Sequence, residues 1–202
     1  MPENTPELPS VVTLVYGRTR CFLIHGKLLV DTDWAGSFPA FLQCIKEKGI
    51  SLQDIQYLLI THYHPDHMGI AADLMQRGIT LLVMDVQQGY VHQADAVFAG
   101  DRRNRFTPIP EKQALILKCE ESRHFLEGIG IRGEIIPTPG HSADSISLIL
   151  EDEGAAFVGD LPPLEQIAYY QDPVMKSSAD ALQKYGVKIL YHSHWPEEHL
   201  ES

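Results

Sequence analysis

The chain has 202 residues, 44% of them hydrophobic, and a formal net charge of −11. That is enough apolar content for one domain with a substantial core. The acidic balance, broken only locally by Arg102, Arg103 and Arg105, excludes the broad basic face that nucleic-acid binding requires. No apolar run approaches the roughly 18 residues that cross a bilayer. Residues 1–10 lack the basic start and apolar stretch of a secretory signal and read as a flexible lead-in to a single domain over 11–202. Cys21, Cys44 and Cys119 are far apart, odd in number and set among apolar residues, which fits free thiols in a reducing cytoplasm better than a disulfide framework.

In chain order, 11–16 and 21–25 read as a hairpin and 28–31 as a third strand, with Gly17 and Gly26 at the turns. His25, at a strand end, reads as a turn residue. Phe38, Phe41, Leu42 and Ile45 recur at helical spacing before Gly49, the pattern of a helix covering a sheet. A short turn at 51–54 precedes a buried strand at 57–60. A helix over 68–77, stopped by Gly78, and a strand over 80–84 continue an alternation typical of α/β proteins. Residues 86–99 suggest a helix carrying His92, and 100–110, with two prolines, must be irregular. Together 85–119 form a long, weakly patterned stretch, and such stretches in small domains are usually functional or disordered. Next come a short helix at 120–126 bearing His124, and strands at 132–137, 145–150 and 155–158. Tyr169 and Tyr170 fall in a helix or loop. A helix at 173–185 runs from Pro173 to Gly186, and 187–191 is the last strand. His199, near the end, reads as solvated.

Chemistry concentrates where the strand at 57–60 stops, in Thr61-His62-Tyr63-His64-Pro65-Asp66-His67. Residues two apart in an extended segment point to one side, so His62 and His64 can face one ion. Pro65 keeps the following helix from starting earlier, which leaves the cluster on a loop and lets the turn swing Asp66 and His67 towards a second ion. Imidazole and carboxylate without thiolate suit zinc, manganese or iron(II). The bland alternative is a chance cluster, or Asp66 as a helix cap. Three of ten histidines within six residues, beside a buried strand, weigh against it.

This stretch resembles the His-x-His-x-Asp-His signature of the metallo-β-lactamase fold superfamily. Asp31 resembles the family's early structural aspartate, His141 in Thr-Pro-Gly-His-Ser its third ligand to the first metal, and Asp160 in Phe-Val-Gly-Asp its bridging aspartate. A histidine of Tyr-His-Ser-His-Trp resembles the last ligand. His192 and His194 share parity there, with His194 preferred and His192 the second choice. The landmarks run in family order from residue 31 to 194. Where the family usually has Thr-Gly after its early aspartate, this chain has Thr32-Asp33-Trp34, which alters the loop and puts Trp34 either at the cleft wall or in the core.

The resemblance implies a four-layer αβ/βα sandwich, with 85–119 as a lid over the substrate cleft. It implies His62, His64 and His141 on a first divalent ion, Asp66, His67 and His194 on a second, and Asp160 bridging them, zinc being favoured over manganese or iron. The implied activity is hydrolysis of a small ester, thioester, lactone or phosphodiester by a metal-bridging hydroxide, with Asp66 guiding a proton to the leaving group. Aspartate rather than cysteine at the bridging position, together with the lack of an export signal, argues against antibiotic hydrolysis. Some lactone-cleaving relatives use a tyrosine after the bridging aspartate, but neither Tyr169 nor Tyr170 lies in a motif that carries this role over. Two other classes share these residues. A mononuclear iron persulfide dioxygenase-like enzyme would use His62, His141 and Asp160, and a non-catalytic binding module would be expected to have lost ligands. The expected partner is a small-molecule substrate in the cytoplasm, with no nucleic acid and no membrane. The oligomeric state is open, a dimer included.

Overall fold

A computed structural model describes residues 8–101 and 105–200. Six strands, β1 (Val11–Val15), β2 (Arg20–Ile24), β3 (Leu28–Val30), β4 (Tyr57–Leu59), β5 (Thr80–Met84) and β6 (Leu115–Leu117), lie side by side in chain order. The first three are antiparallel, and β3 to β6 run parallel. A second sheet holds β7 (Gly133–Pro137), β8 (Ile146–Leu150), β9 (Ala155–Gly159), β10 (Ile189–His192) and β11 (Glu198–His199) in reverse order, with β9 and β10 parallel.

The period-2 alternation of the strands sorts their side chains into layers. Phe22, Ile24, Leu28, Val30, Leu59 and Leu82 from the first sheet share one core cluster with Ile135, Ile146, Leu148, Leu150 and Phe157 from the second. Phe157 lies 5.0 Å from Phe22 and stacks on Tyr191 at 4.9 Å. The intervening residues Leu23, Leu29, Leu58, Leu81 and Val83 face outward onto helices α1 (Phe38–Glu47), α2 (Pro65–Met68) and α3 (Ala71–Met75). Phe38, Phe41 and Ile45 are the buried stripe of α1. On the other side Ile149, Ala156, Val158 and Leu190 pack on α6 (Leu164–Tyr170) and α7 (Pro173–Lys184) through Ile167, Met175, Ala179 and Leu182. Helix, sheet, sheet, helix is the four-layer sandwich anticipated from the resemblance. Each fully buried Leu or Phe contributes about 1.5–3 kcal/mol.

Several elements differ from the sequence expectation. The helix over 68–77 is broken into α2 and α3 around Gly69, where a Cβ would stand 2.2 Å from the Ala35 backbone nitrogen; the 33–35 loop crosses there and needs the space. Because α2 begins at Pro65, Asp66 and His67 stand on its first turn and not on a loop. In place of a helix over 86–99 there is a 3₁₀ turn at Asp85–Gln87 and only a short α4 (Asp95–Ala99). The Gln87 side chain is drawn inward to bind backbone carbonyls, which ends the regular path. The stretch 85–119 also supplies a strand, β6, that the sequence pattern does not announce. The last strand continues to His192 through a register shift between Tyr191 and His192, and β11 follows. The short helix α5 (Ser122–Gly128) and the remaining strands fall within a few residues of their expected places. Arg102 and Arg103 lie outside the described residues. No described helix is long and apolar enough to cross a membrane.

The parallel pairs β3–β4 and β9–β10 end at a common edge of the two sheets. Asp31, His62, Asp160 and His194 all follow these strand ends, so the topology brings them together from four distant parts of the chain.

Candidate metal centre

Asp31 is the keystone. It is fully buried at the end of β3 and adopts a left-handed backbone, with φ at 59°, a conformation that aspartate tolerates better than most residues. Its Oδ1 accepts the Thr61 N–H at 2.7 Å. Its Oδ2 accepts the Thr61 hydroxyl at 2.7 Å, His67 Nδ1 at 2.9 Å and the Ser193 hydroxyl at 3.2 Å. With Nδ1 engaged, the Nε2 of His67 is left to face the cluster. Thr32 holds the other end of that residue through its N–H and hydroxyl, both donated to the His67 carbonyl, and the Thr19 hydroxyl does the same for the Asp66 carbonyl.

Two groups of side chains converge beside this frame. His62 Nε2 and His141 Nε2 each lie 3.0 Å from His64 Nδ1. His194 Nε2 lies 3.1 Å from Asp66 Oδ2, and His67 Nε2 lies 3.9 Å from Asp66 Oδ1. Asp160 stands between the groups. Its Oδ2 is 3.4 Å from His141 Nε2 and 3.8 Å from His62 Nε2, whereas its Oδ1 is 3.2 Å from His67 Nε2 and 3.4 Å from His194 Nε2. Gly159 makes this placement possible. It sits at φ 57°, and a Cβ there would meet Thr61 Oγ1 at 2.4 Å.

The donor set fits a metal. Ligand atoms each about 2.0–2.1 Å from one tetrahedral zinc stand about 3.3 Å apart, the scale found here. His67 Nε2 and Asp160 Oδ1 are buried and make no well-directed hydrogen bond among the described residues; they stand 3.2 Å apart, facing each other at this centre, where an ion would engage both.

The electrostatics point the same way. Burial, reinforced by the neighbouring imidazoles, pushes His62 well down and keeps it neutral. For His67, burial opposes the charge, but Asp31 and Asp160 outweigh it and raise the imidazole to about 10. Burial would raise Asp66, but the His194 hydrogen bond and the charge on His67 bring it to about 2; burial would likewise raise Asp160, but its contact with His67 and the charges on His67, His194 and His141 lower it. The ionised Asp66 and Asp160 and the neutral His62 are thus in the protonation states that metal binding requires.

The other histidines stand apart. His192 is buried with Nδ1 on the Leu161 carbonyl at 2.7 Å and Nε2 3.4 Å from Glu198, turned out of the cluster. His25 pairs with Glu153, and His92 with Asp95 and Glu111. Trp34 is partly buried, edge-on to Phe98 of α4 at 5.2 Å, so it packs against the core. Tyr169 and Tyr170 are 84% and 56% exposed. Asp33, at the position where the family pattern has glycine, accepts the N–H groups of Arg18, Thr19 and Trp34, and Gly17 leaves room for its carboxylate. Sequence reasoning missed Ser193, Gln87 and Asp144, all buried polar residues bonded to the frame. Only Ser193 had a readable signal, its place between two histidines; Gln87 and Asp144 carried none.

Known proteins give the arrangement its context. The model of the metallo-beta-lactamase superfamily matches residues 8–194. An atrochrysone carboxyl ACP thioesterase of Aspergillus aculeatus is 30% identical over 179 residues, covering 83% of this chain and 46% of the relative. A thioesterase of Emericella nidulans is 30% identical over 139 residues, covering 66% of this chain and 32% of the relative. The chain spans about half the length or less of the curated relatives it matches. Among solved structures, a metallo-beta-lactamase family protein of Thermus thermophilus superposes with a TM-score of 0.69 at 23% identity, covering 95% of this chain and 75% of that one. On the family match, the order of the landmarks and the two-sheet architecture, the chain belongs to the metallo-beta-lactamase superfamily.

Proposed function

We propose that this protein is a binuclear metal-dependent hydrolase acting on thioesters of small acyl groups. The observation that carries the reading is the Asp160 carboxylate, whose two oxygens face different groups of histidines. On this reading His62, His64 and His141 hold one divalent ion, Asp66, His67 and His194 hold a second, and Asp160 bridges them. Zinc is favoured, and manganese or iron(II) also suits these donors. The thioester class is taken from the curated relatives named as thioesterases.

When bound, such a pair of cations acidifies water and polarises a carbonyl. The reaction adds water across the C–S bond: the acyl carbon gains oxygen, and sulfur departs as a thiol carrying a proton. The chain's own groups orient this chemistry. Asp31 fixes the His67 ring, and Thr61 joins that anchor to the His62 segment. Asp66 stays ionised near neutral pH and is partly exposed, so the lone pairs it does not give to His194 or to an ion can take a proton from water and pass it towards the leaving sulfur. On this reading the cover expected over 85–119 is its part before β6, of which residues 85–101 and 105–114 are described. Its Phe98 is pinned by Trp34 and stacked on Phe106 at 4.1 Å, which seats it beside the Asp31 loop.

The test is elemental analysis of protein purified without added metal or chelator, followed by a panel of acyl thioesters, esters, lactones and phosphodiesters. About two ions per chain with preferential thioester cleavage is the expected result. The double variant His62→Ala/His64→Ala should lose both the first ion and turnover. About one iron per chain, with oxygen consumed alongside persulfides, would refute the proposal in favour of mononuclear chemistry on His62, His141 and Asp160.

A further inference from the structure

Asp144 is fully buried, three residues beyond His141, and the reading above gives it no task. A carboxylate in a dry interior is more costly than an apolar side chain of similar size, so its presence calls for an explanation. Its Oδ2 accepts the Tyr63 N–H at 2.7 Å, the amide of the peptide joining His62 to Tyr63. Its own carbonyl accepts Gln87 Nε2 at 3.2 Å, and the same nitrogen donates to the carbonyls of Ile60 at 2.9 Å and Thr61 at 3.4 Å. The Gln87 oxygen accepts the Met84 N–H at 3.2 Å. Two residues past Asp144, the Ile146 N–H donates to the Thr61 carbonyl at 2.9 Å.

These bonds have one geometric effect. His62 and His64 belong to the end of β4 in the first sheet, whereas His141 rides on the loop between β7 and β8 of the second. Nothing in either sheet's own ladder sets the distance between them. Tyr63, fully buried between the two histidines, sends its ring into the first sheet's outer core, and its amide is pinned to Asp144 on the loop between β7 and β8. Rotation of the His62–Tyr63 peptide would swing both imidazoles.

We propose that Asp144 is a positioning residue: it locks the His62–Tyr63 peptide onto the His141 loop, so that His62, His64 and His141 converge on the first ion. This rests on the metal-site reading above. Asparagine should serve almost as well. Its amide oxygen can accept the same bond, and its nitrogen would take the place of Oδ1, which is buried without a partner among the described residues.

The experiment titrates metal-free wild type, Asp144→Ala and Asp144→Asn with cobalt(II), following the visible spectrum and competition with a chelator. Wild type should take up two equivalents. In Asp144→Ala one equivalent should weaken about ten- to hundred-fold while the other is retained, and Asp144→Asn should restore both. In the metal-free wild type and in Asp144→Asn the Tyr63 amide should exchange slowly with solvent, a measurement that stands even where Asp144→Ala does not fold. Equal weakening of both equivalents, unaltered uptake in Asp144→Ala, failure of Asp144→Asn to rescue, or fast exchange of the wild-type Tyr63 amide would each overturn the assignment. A wild type that takes up no cobalt overturns the metal reading and this assignment with it; unaltered uptake in Asp144→Ala overturns this assignment alone.

Discussion

Asp31→Asn isolates what the charge of the keystone does. Asparagine tolerates the left-handed backbone found at Asp31, so the substitution leaves the local conformation available. Three of the four bonds to Asp31 use Oδ2 and one uses Oδ1. An asparagine that keeps its oxygen on the Thr61 N–H must present its NH₂ to Thr61 Oγ1, His67 Nδ1 and Ser193 Oγ. The two hydroxyls can rotate and accept. The imidazole can accept only by surrendering the Nδ1 proton, which moves the proton to Nε2, the atom aimed into the cluster. A hydrogen bond to a charged group contributes about 1.5–3 kcal/mol, and rearranged buried hydroxyls add to its loss, so the variant should be about 2–4 kcal/mol less stable without metal. Its second ion should bind about ten- to hundred-fold more weakly, because Asp31 no longer holds the remaining proton on Nδ1 when an ion displaces the one on Nε2. Urea denaturation of the metal-free protein, nitrogen NMR of the His67 ring and chelator competition read the three effects. Unfolding within about 0.5 kcal/mol of wild type, with an unaltered His67 tautomer, would refute the reasoning.

Gly159→Ala should cost about 2–4 kcal/mol in thermal or urea unfolding, from about 1–2 for the left-handed alanine plus displacement of Thr61 from Asp31; a cost under about 0.5 would mean that Thr61 yields freely. His194→Ala should lower metal content by about one ion per chain, whereas His192→Ala should leave metal content intact and lower stability by about 2–3 kcal/mol through the cavity it opens; elemental analysis and melting of the two variants decide between them. Burial and the nearby Asp85 push the Cys119 thiol up to about 12, so only about one molecule in ten thousand carries its thiolate at pH 8. Cys21 is buried outright, so a thiol reagent at that pH should label Cys44 first, and Cys44→Ser should remove the fast phase.

The parts of the fold and site that could be read from sequence are those where one residue type answers to one physical demand. The helical stripe Phe38, Phe41, Ile45 reports which face is buried, and the structure buries it; the run 146–150 reads as a strand and is buried on both faces, between the other sheet and the outer helices. The dense His-x-His-x-Asp-His stretch advertises ligands because imidazole in that number has few other uses. What escaped were choices made by tertiary contact. Gly69 breaks a helix that its flanking residues favour, because the 33–35 backbone passes within reach of a Cβ. Strand β6 has only three residues, Leu115, Ile116 and Leu117, and exists because β5 offers it an edge. Gln87 and Asp144 look like ordinary polar residues, and only the folded chain gives the Gln87 nitrogen and the Asp144 carboxylate partners from 26 to 81 positions away.

The pair His192 and His194 shows most sharply where pattern reasoning ends. In an unbroken strand they would point the same way, and parity could not separate them. The strand, however, ends at His192, and the chain bends through Ser193, His194 and Trp195. Strand parity does not carry past that end. His192, the last residue of the ladder, bonds the Leu161 carbonyl and lies beside Glu198, whereas beyond it Ser193 reaches Asp31 and His194 reaches Asp66 and Asp160. The neighbouring strand is irregular at the same level: Tyr191 pairs with Phe157 and His192 with Gly159, so Val158 of β9 is the extra residue, and the bulge shifts Gly159 and the Asp160 that follows it relative to the last strand. The end of one strand and a bulge in its neighbour thus give three consecutive residues three jobs: a buried strut, a bond to the keystone, and a place in the cluster facing Asp160.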